Sequence, residues 1–247
     1  MRNHSPLFVM LLLFGFALAA KSAPLGFETA NHFYEQGNFA EAKKNYESLV
    51  NARNFSANLF YNLGNADFRL DDFGGAILNY ERALVLDPSN PEAHANLVYA
   101  RDKTGAKIAA RTWLDSLFPA FGANVYAILA AVAGWGALFC LTGAFWKPRG
   151  ERQSYCLGAF VAILMCGHAA GALWFFAKEE SLAIVVAKQA EGRYAPADSA
   201  TLADTLPMGS RVRILQDRGP WIYAELPNAS RAWISSKALE RVRLQSS

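Results

Sequence analysis

Two apolar blocks, residues 121–146 and 155–177, set the plan of this 247-residue chain. Each is long enough to cross a hydrocarbon core of about 30 Å at about 1.5 Å per helical residue. The connector between them, 147–154, begins Lys147-Pro148-Arg149-Gly150-Glu151-Arg152. Short loops rich in Lys and Arg stay on the cytoplasmic side. The blocks therefore predict a transmembrane hairpin that turns inside the cell, with both flanking soluble segments on the far side of the membrane.

The amino terminus predicts the same topology. Met1-Arg2-Asn3-His4 leads into an apolar run over 7–20, and Ala17-Leu18-Ala19 or Ala20-Lys21-Ser22 would serve as a signal-peptidase site, making 1–22 a signal peptide. Left uncleaved, the run would be an anchor that still exports the segment after it. The topology does not depend on which of the two holds.

Composition narrows the chemistry. A hydrophobic content of 53 % fits a membrane protein with modest soluble parts. Residues 24–118 carry 9 Lys/Arg against 12 Asp/Glu, and 178–247 carry 10 against 8. Neither has the clustered positive charge of a nucleic-acid footprint, so no nucleic acid is expected as a partner. Cys140, Cys156 and Cys166 all fall in the apolar blocks, which leaves the exported segments without a disulfide framework. They read as small hydrophobes, with lipidation or redox sensing as the alternative. His4, His32, His94 and His168 are scattered, with no CxxC, HExxH or Cys/His cluster, so neither a metal nor a cofactor is expected. The chain also lacks GxSxG, a P-loop and any exported nucleophile–base pair, which argues against an enzyme.

The segment 24–118 repeats itself. An offset of 34 residues pairs Ala30 with Gly64, Tyr34 with Phe68, Phe39 with Phe73, Ala42 with Ala76 and Tyr46 with Tyr80. Small residues at this period let two helices approach while aromatics fill the gap between stacked pairs. Asn38-Phe39 and Asp71-Asp72-Phe73 fall in the turns, where short polar side chains cap the second helix of a pair. Pro88 and Pro91 bracket the link to a third first helix over 92–104, with Leu97 and Val98 at its contact positions. A partner helix over 106–117 would lead into the membrane. The second copy, Phe60-Tyr61-Asn62-Leu63-Gly64 through Ala76, Tyr80, Ala83-Leu84 and Asp87-Pro88, resembles the tetratricopeptide repeat.

Such repeats bind peptides along the face lined by the first helix of each pair. Asn58, Asn62, Asn65 and Arg69 share one helical face, Asn31 precedes Asn65 by 34, and Asn96 follows Asn62 by 34. Asparagine is a mediocre helix former, but its amide both donates to and accepts from an extended backbone. Asn31, Asn58, Asn62, Asn65, Arg69 and Asn96 are therefore candidate groove residues, the alternative being a solvated helix face.

In the hairpin, Gly134 lies four after Ala130, and Gly167 and Gly171 form GxxxG. This spacing predicts packing of the two spans on each other, or else on another membrane protein. His168 is the ionisable side chain well inside a span, and it reads as bonded to the neighbouring helix. Trp146, Tyr155 and Trp174 fit interfacial anchoring, and one His without an acid gives no ion pathway.

From residue 181 the pattern turns to period two, predicting short strands over 182–187, 211–215, 221–226 and 231–234, separated by Asp217-Arg218-Gly219-Pro220 and Pro227-Asn228. Several short strands in so few residues predict a small closed barrel. Val185-Val186, Glu191-Gly192-Arg193-Tyr194-Ala195-Pro196, Leu206-Pro207-Met208-Gly209-Ser210, Gly219-Pro220-Trp221 and Ala232-Trp233-Ile234 together resemble a bacterial SH3 domain. Tyr194, Trp221 and Tyr223 are candidate binding aromatics. Barrel core is the alternative for Tyr194 and Trp221 and the preferred place for Trp233.

The fold expected is a multidomain membrane protein: an α-helical tetratricopeptide repeat array, a two-helix transmembrane hairpin and a small all-β SH3-like barrel over 181–247. This order resembles the BatE-type proteins of the Bat aerotolerance systems. The resemblance implies a non-enzymatic scaffold of the bacterial inner membrane, with both soluble domains in the periplasm. It also implies protein partners among von Willebrand A-domain membrane proteins and a MoxR-type ATPase complex. A peptidoglycan-binding anchor or sensor acting through the SH3-like segment is the alternative. A wall hydrolase is disfavoured because the chain has no catalytic domain.

Overall fold

The computed structural model describes residues 25–109 and 123–244. The expected signal peptide at 1–22 and the stretch 110–117 of the expected partner helix lie outside the described residues. Five helices come first: α1 (Leu25–Glu35), α2 (Phe39–Asn51), α3 (Ala57–Arg69), α4 (Phe73–Leu86) and α5 (Pro91–Thr104). Four of them start at a side chain that accepts a hydrogen bond from a backbone N–H three residues on. These pairs are Asn38 with Glu41, Ser56 with Leu59, Asp72 with Gly75 and Asn90 with Ala93. The turns inside the two helix pairs are equivalent, with positive φ at Gly37 (76°) and Asp71 (59°).

The small positions behave as their spacing predicts. Ala30, Ala42, Ala66, Ala76, Ala83, Ala93 and Ala100 are fully buried, and Tyr46 and Tyr80 fill the space between helices. A Cβ on Gly64 would stand 2.8 Å from the Tyr80 ring, so the third helix meets the fourth through a bare backbone. Leu97 is buried as expected, but Val98 is 57 % exposed. On α5, Val98 turns away from the stripe of Ala93, Leu97 and Ala100 that packs against α4.

Helices α6 (Ala123–Trp146) and α7 (Arg149–Glu179) form an antiparallel pair. Tyr126 packs on Ala169, Ala172 and Phe176 at one end, and Gly143 lies against the Tyr155 ring at the other. Both are long and apolar enough to cross a membrane, with mean hydropathy 1.9 and only 17 % of each candidate span buried, unlike core helices of a globule. The helix α7 begins earlier than the expected connector allows: Pro148 precedes its first turn, and Lys147 pairs with Glu151 at 3.2 Å. The helix–helix seam uses Ala133, Ala137, Ala144, Ala159, Ala169 and Ala172, with Gly158 facing Cys140. Gly134 and Gly167 are not in it, since a Cβ at either would meet nothing within 4 Å. His168 does contact the neighbouring helix, edge-on to Tyr126 at 5.8 Å between ring centroids.

Seven strands come after the hairpin: β1 (Leu182–Val185), β2 (Gln189–Arg193), β3 (Leu202–Pro207), β4 (Arg211–Arg218), β5 (Trp221–Glu225), β6 (Arg231–Ser235) and β7 (Leu239–Arg241). They make one antiparallel sheet in the order β3-β2-β6-β5-β4-β1-β7. The sheet wraps around a core that includes Val185, Leu206, Val212, Ile222 and Ile234. The expected closed barrel is not present: the sheet is open, with β3 and β7 as its edges. Each edge ends on polar groups of the helical part instead of on the other edge. Lys107 Nζ donates to Thr205 O on β3, and Arg82 donates to the carbonyls of Arg241 and Val242 at β7.

The helical and β parts are thus packed together although the hairpin separates them in sequence. Ile77, Leu78, Leu97 and Ala100 share one apolar cluster with Ile184 and Val242. A Cβ on Gly74 of α4 would stand 2.8 Å from Val186 O. Gly209, at φ 81°, lies directly on the Ile77 side chain. Buried Glu81 (6 % exposed) accepts from Arg211 of β4 and from Arg101 of α5. The chain after α5 is fixed as well, with Lys107 N donating to Ser210 Oγ and Arg211 N donating to Lys107 O, both at 3.0 Å.

Candidate protein-binding groove

The first helices α1, α3 and α5 are tied by one hydrogen-bond pattern that occurs twice. Asn31 Oδ1 accepts from Tyr46 Oη at 2.7 Å and from Asn62 Nδ2 at 3.0 Å. Thirty-four residues on, Asn65 Oδ1 accepts from Tyr80 Oη at 2.8 Å and from Asn96 Nδ2 at 2.9 Å. Each asparagine carbonyl thus joins its own helix pair to the next first helix. Burial raises both phenols; Tyr46 is pushed up to about 12, with Tyr34, Glu35 and Glu28 adding to the effect. Both hydroxyls therefore stay protonated donors at neutral pH.

Two adjoining pockets of about 240 Å³ each open on this face. Asn31, Tyr34, Glu35, Tyr46, Asn62 and Asn65 line one. The other is lined by Tyr34, Asn65, Phe68, Arg69, Tyr80, Asn96 and Tyr99. They share Tyr34 and Asn65, which makes them one groove. The carbonyls of Asn31 and Asn65 and the amino groups of Asn62 and Asn96 are engaged in the ladder, which uses one half of each amide. Arg69 is exposed, with its guanidinium carbon 4.4 Å from the Phe39 ring centroid.

Five of the six groove candidates, Asn31, Asn62, Asn65, Arg69 and Asn96, come together here. Asn58 is exposed and lines neither pocket. The stripe reading missed Tyr34, Phe68 and Tyr99, which form the apolar walls. It also missed Tyr46 and Tyr80 as the groups that fix the asparagines. The matching Asn31–Tyr46 and Asn65–Tyr80 spacings were the available signal.

Behind the groove a charged knot joins α2, α3 and α4. Lys43 Nζ lies 2.7 Å from Asp67 and 2.8 Å from Asp72, and Asn79 Nδ2 donates to Asp67 at 2.7 Å. Asp67 is 1 % exposed, and burial pushes its carboxyl up to about 6 against the pull of Lys43. Burial disfavours the Lys43 ammonium, but its bonds to Asp67 and Asp72 more than offset this and raise it.

On the sheet, Trp233 is not core. It alternates with buried Ala232 and Ile234 and stands on the outer face, 4.9 Å between ring centroids from its cross-strand neighbour Tyr223. The Arg218 guanidinium carbon lies 5.0 Å from the Trp233 ring centroid. Trp221 is half-buried on the same face of β5 as Tyr223, whereas Tyr194, just past β2, is 70 % exposed.

Residues 64–105 match the TPR repeat family. The match runs from the middle of α3 through α5 and takes in the second Tyr–Asn–Asn unit. TPR repeats are typically non-catalytic modules of protein–protein interaction, and no catalytic family is indicated. No curated protein matches the chain.

Proposed function

We propose that this protein is a non-enzymatic scaffold of the BatE type, held in the bacterial inner membrane by the α6–α7 hairpin. Residues 1–22 would act as the signal peptide and 147–154 as the cytoplasmic turn. The repeats over 24–118 and the SH3-like segment over 181–247 would stand together in the periplasm. The basic turn Lys147–Arg152 supports that orientation. The packing of the two soluble parts on each other supports their being on one side.

One observation carries the binding reading. The twice-occurring Tyr–Asn–Asn unit positions asparagine amides along two joined pockets, and such amides can pair with the backbone of an extended protein segment. The partners implied by the BatE resemblance are von Willebrand A-domain membrane proteins and a MoxR-type ATPase complex. In-cell crosslinking followed by detergent purification and mass spectrometry tests this, run beside Asn62→Ala/Asn65→Ala. Recovery of such partners with the wild type, lost in the double variant, is the expected result. Unchanged recovery removes the groove from the function.

A second reading has its own support. The row Trp221, Tyr223 and Trp233 with Arg218 is an aromatic platform suited to a wall peptide or glycan. Peptidoglycan co-sedimentation of the full chain in detergent, lost in Tyr223→Ala/Trp233→Ala and kept in the asparagine variant, would move the binding function to the sheet.

A further inference from the structure

One row of equivalent positions borders the groove. Glu35, Arg69 and Lys103 stand 34 residues apart, at the carboxyl ends of α1, α3 and α5. Repeat equivalence places them side by side along one edge. Glu35 lines the Asn31 pocket and Arg69 lines the Asn65 pocket. Lys103 Nζ lies 5.5 Å from the ring centroid of Tyr99, a wall of that second pocket. All three are exposed, and none belongs to an ion pair among the described residues.

The repeat thus keeps the position and changes the sign: an acid on the first helix, cations on the second and third. None of the three takes part in the knot of Lys43, Asp67 and Asp72 that joins α2, α3 and α4. Neighbouring helices pack about 10 Å apart, which is about three residues of extended chain.

We propose that the groove selects its extended segment by charge, seating carboxylates against Arg69 and Lys103 and a basic side chain against Glu35, three to six residues away on the order of these spacings. This rests on the groove reading above and adds the chemistry of the partner. Arginine in an aromatic-walled pocket gives a carboxylate directional, charge-assisted bonds. Because the three charges are exposed, the preference weakens as salt rises.

The test uses the full chain in detergent and fluorescein-labelled twelve-residue peptides, read by anisotropy. Two peptides carry an Asp-Asp pair and a Lys-Lys pair in opposite orders, and a third replaces all four with Ser and Gln. The expected result is that one dipolar peptide binds about tenfold or more tightly than the neutral one, a difference of about 1.4 kcal/mol. Arg69→Glu should abolish that preference, and Glu35→Lys/Arg69→Glu should shift it to the peptide of opposite order. Lys103→Glu on the exposed end of α5 checks the row with little risk to folding. Equal binding of all three peptides, unaffected by Arg69→Glu but lost in Asn62→Ala/Asn65→Ala, overturns the charge inference and leaves the groove standing. No binding by any peptide overturns both.

Discussion

Arg211 Nη2 lies 2.8 Å from both carboxylate oxygens of Glu81, a contact that spans 130 residues of sequence. It joins β4 to α4 across the whole hairpin. Arg101 donates to the same carboxylate from α5, so one buried acid holds two cations. Glu81→Ala removes the carboxylate that both arginines share, and removing one member of a buried pair is costly. We expect a loss of about 3 kcal/mol. Arg211→Gln should cost less, because Arg101 still neutralises the acid. Thermal unfolding of the full chain in detergent, followed by tryptophan fluorescence, checks the order of the two. Equal, small effects would show that the contact does not hold the two parts together.

The close approach of α4 and β1 depends on a missing side chain. A methyl group on Gly74 would meet Val186 O at 2.8 Å, and backbone cannot rotate out of the way as a side chain can. Gly74→Ala is expected to destabilise the junction by about 1–3 kcal/mol. Hydrogen exchange should locate the damage: amides of β1 and the Val186 N–H bonded to Ala238 O exchange faster, while those of α3 do not. Uniform acceleration across both parts would refute a local junction effect.

What the sequence made legible was periodic. The 34-residue offset foretold the turns beside Asn38-Phe39 and at Asp71-Asp72-Phe73, the small positions Ala30, Ala42 and Ala76 and the two buried tyrosines, because each is fixed by local geometry repeated in the chain. Alternation found β4, β5 and β6. It did not find β2, β3 or β7; in β3, Leu202-Ala203-Asp204-Thr205-Leu206 lacks strict alternation. Two things were hidden. The asparagine stripe looked like a ligand surface, yet half of its hydrogen-bonding capacity ties helices together, through tyrosines on other helices. The open sheet was hidden too: closure was expected from strand count, whereas Arg82 and Lys107, outside the β segment, satisfy its edges. The core was the preferred place for Trp233, but its neighbours Ala232 and Ile234 are the buried ones and set the strand parity.

Those satisfied edges predict how the β part behaves alone. Without the helices, the carbonyls of Thr205, Arg241 and Val242 lose their Lys107 and Arg82 donors. The apolar face of Ile184 and Val242 loses Ile77 and Leu97. Free strand edges beside exposed apolar surface recruit other chains. An isolated 181–247 segment should therefore elute from size-exclusion chromatography as aggregate, and co-expression with 25–109 should return it to a discrete complex. A stable monomer on its own would show that the edges need no cover.

The knot at Asp67 makes stability depend on pH in an unusual direction. Its carboxyl is pushed up to about 6 by burial, above the ordinary value of 3.8. The folded state therefore holds this proton more tightly than the unfolded state between about pH 4 and pH 6. The stabilisation is present at low pH and is lost as pH rises through about 6, opposite to a carboxylate whose ion pair lowers its pKa. Asp67→Asn removes this one titration and leaves the other acids in place. Between pH 7 and pH 4 the wild type should gain on the order of 2 kcal/mol relative to the variant. Denaturant midpoints of both proteins at several pH values measure the difference. A gain of the variant over the wild type on acidification would mean that Lys43, at 2.7 Å, outweighs the burial of Asp67.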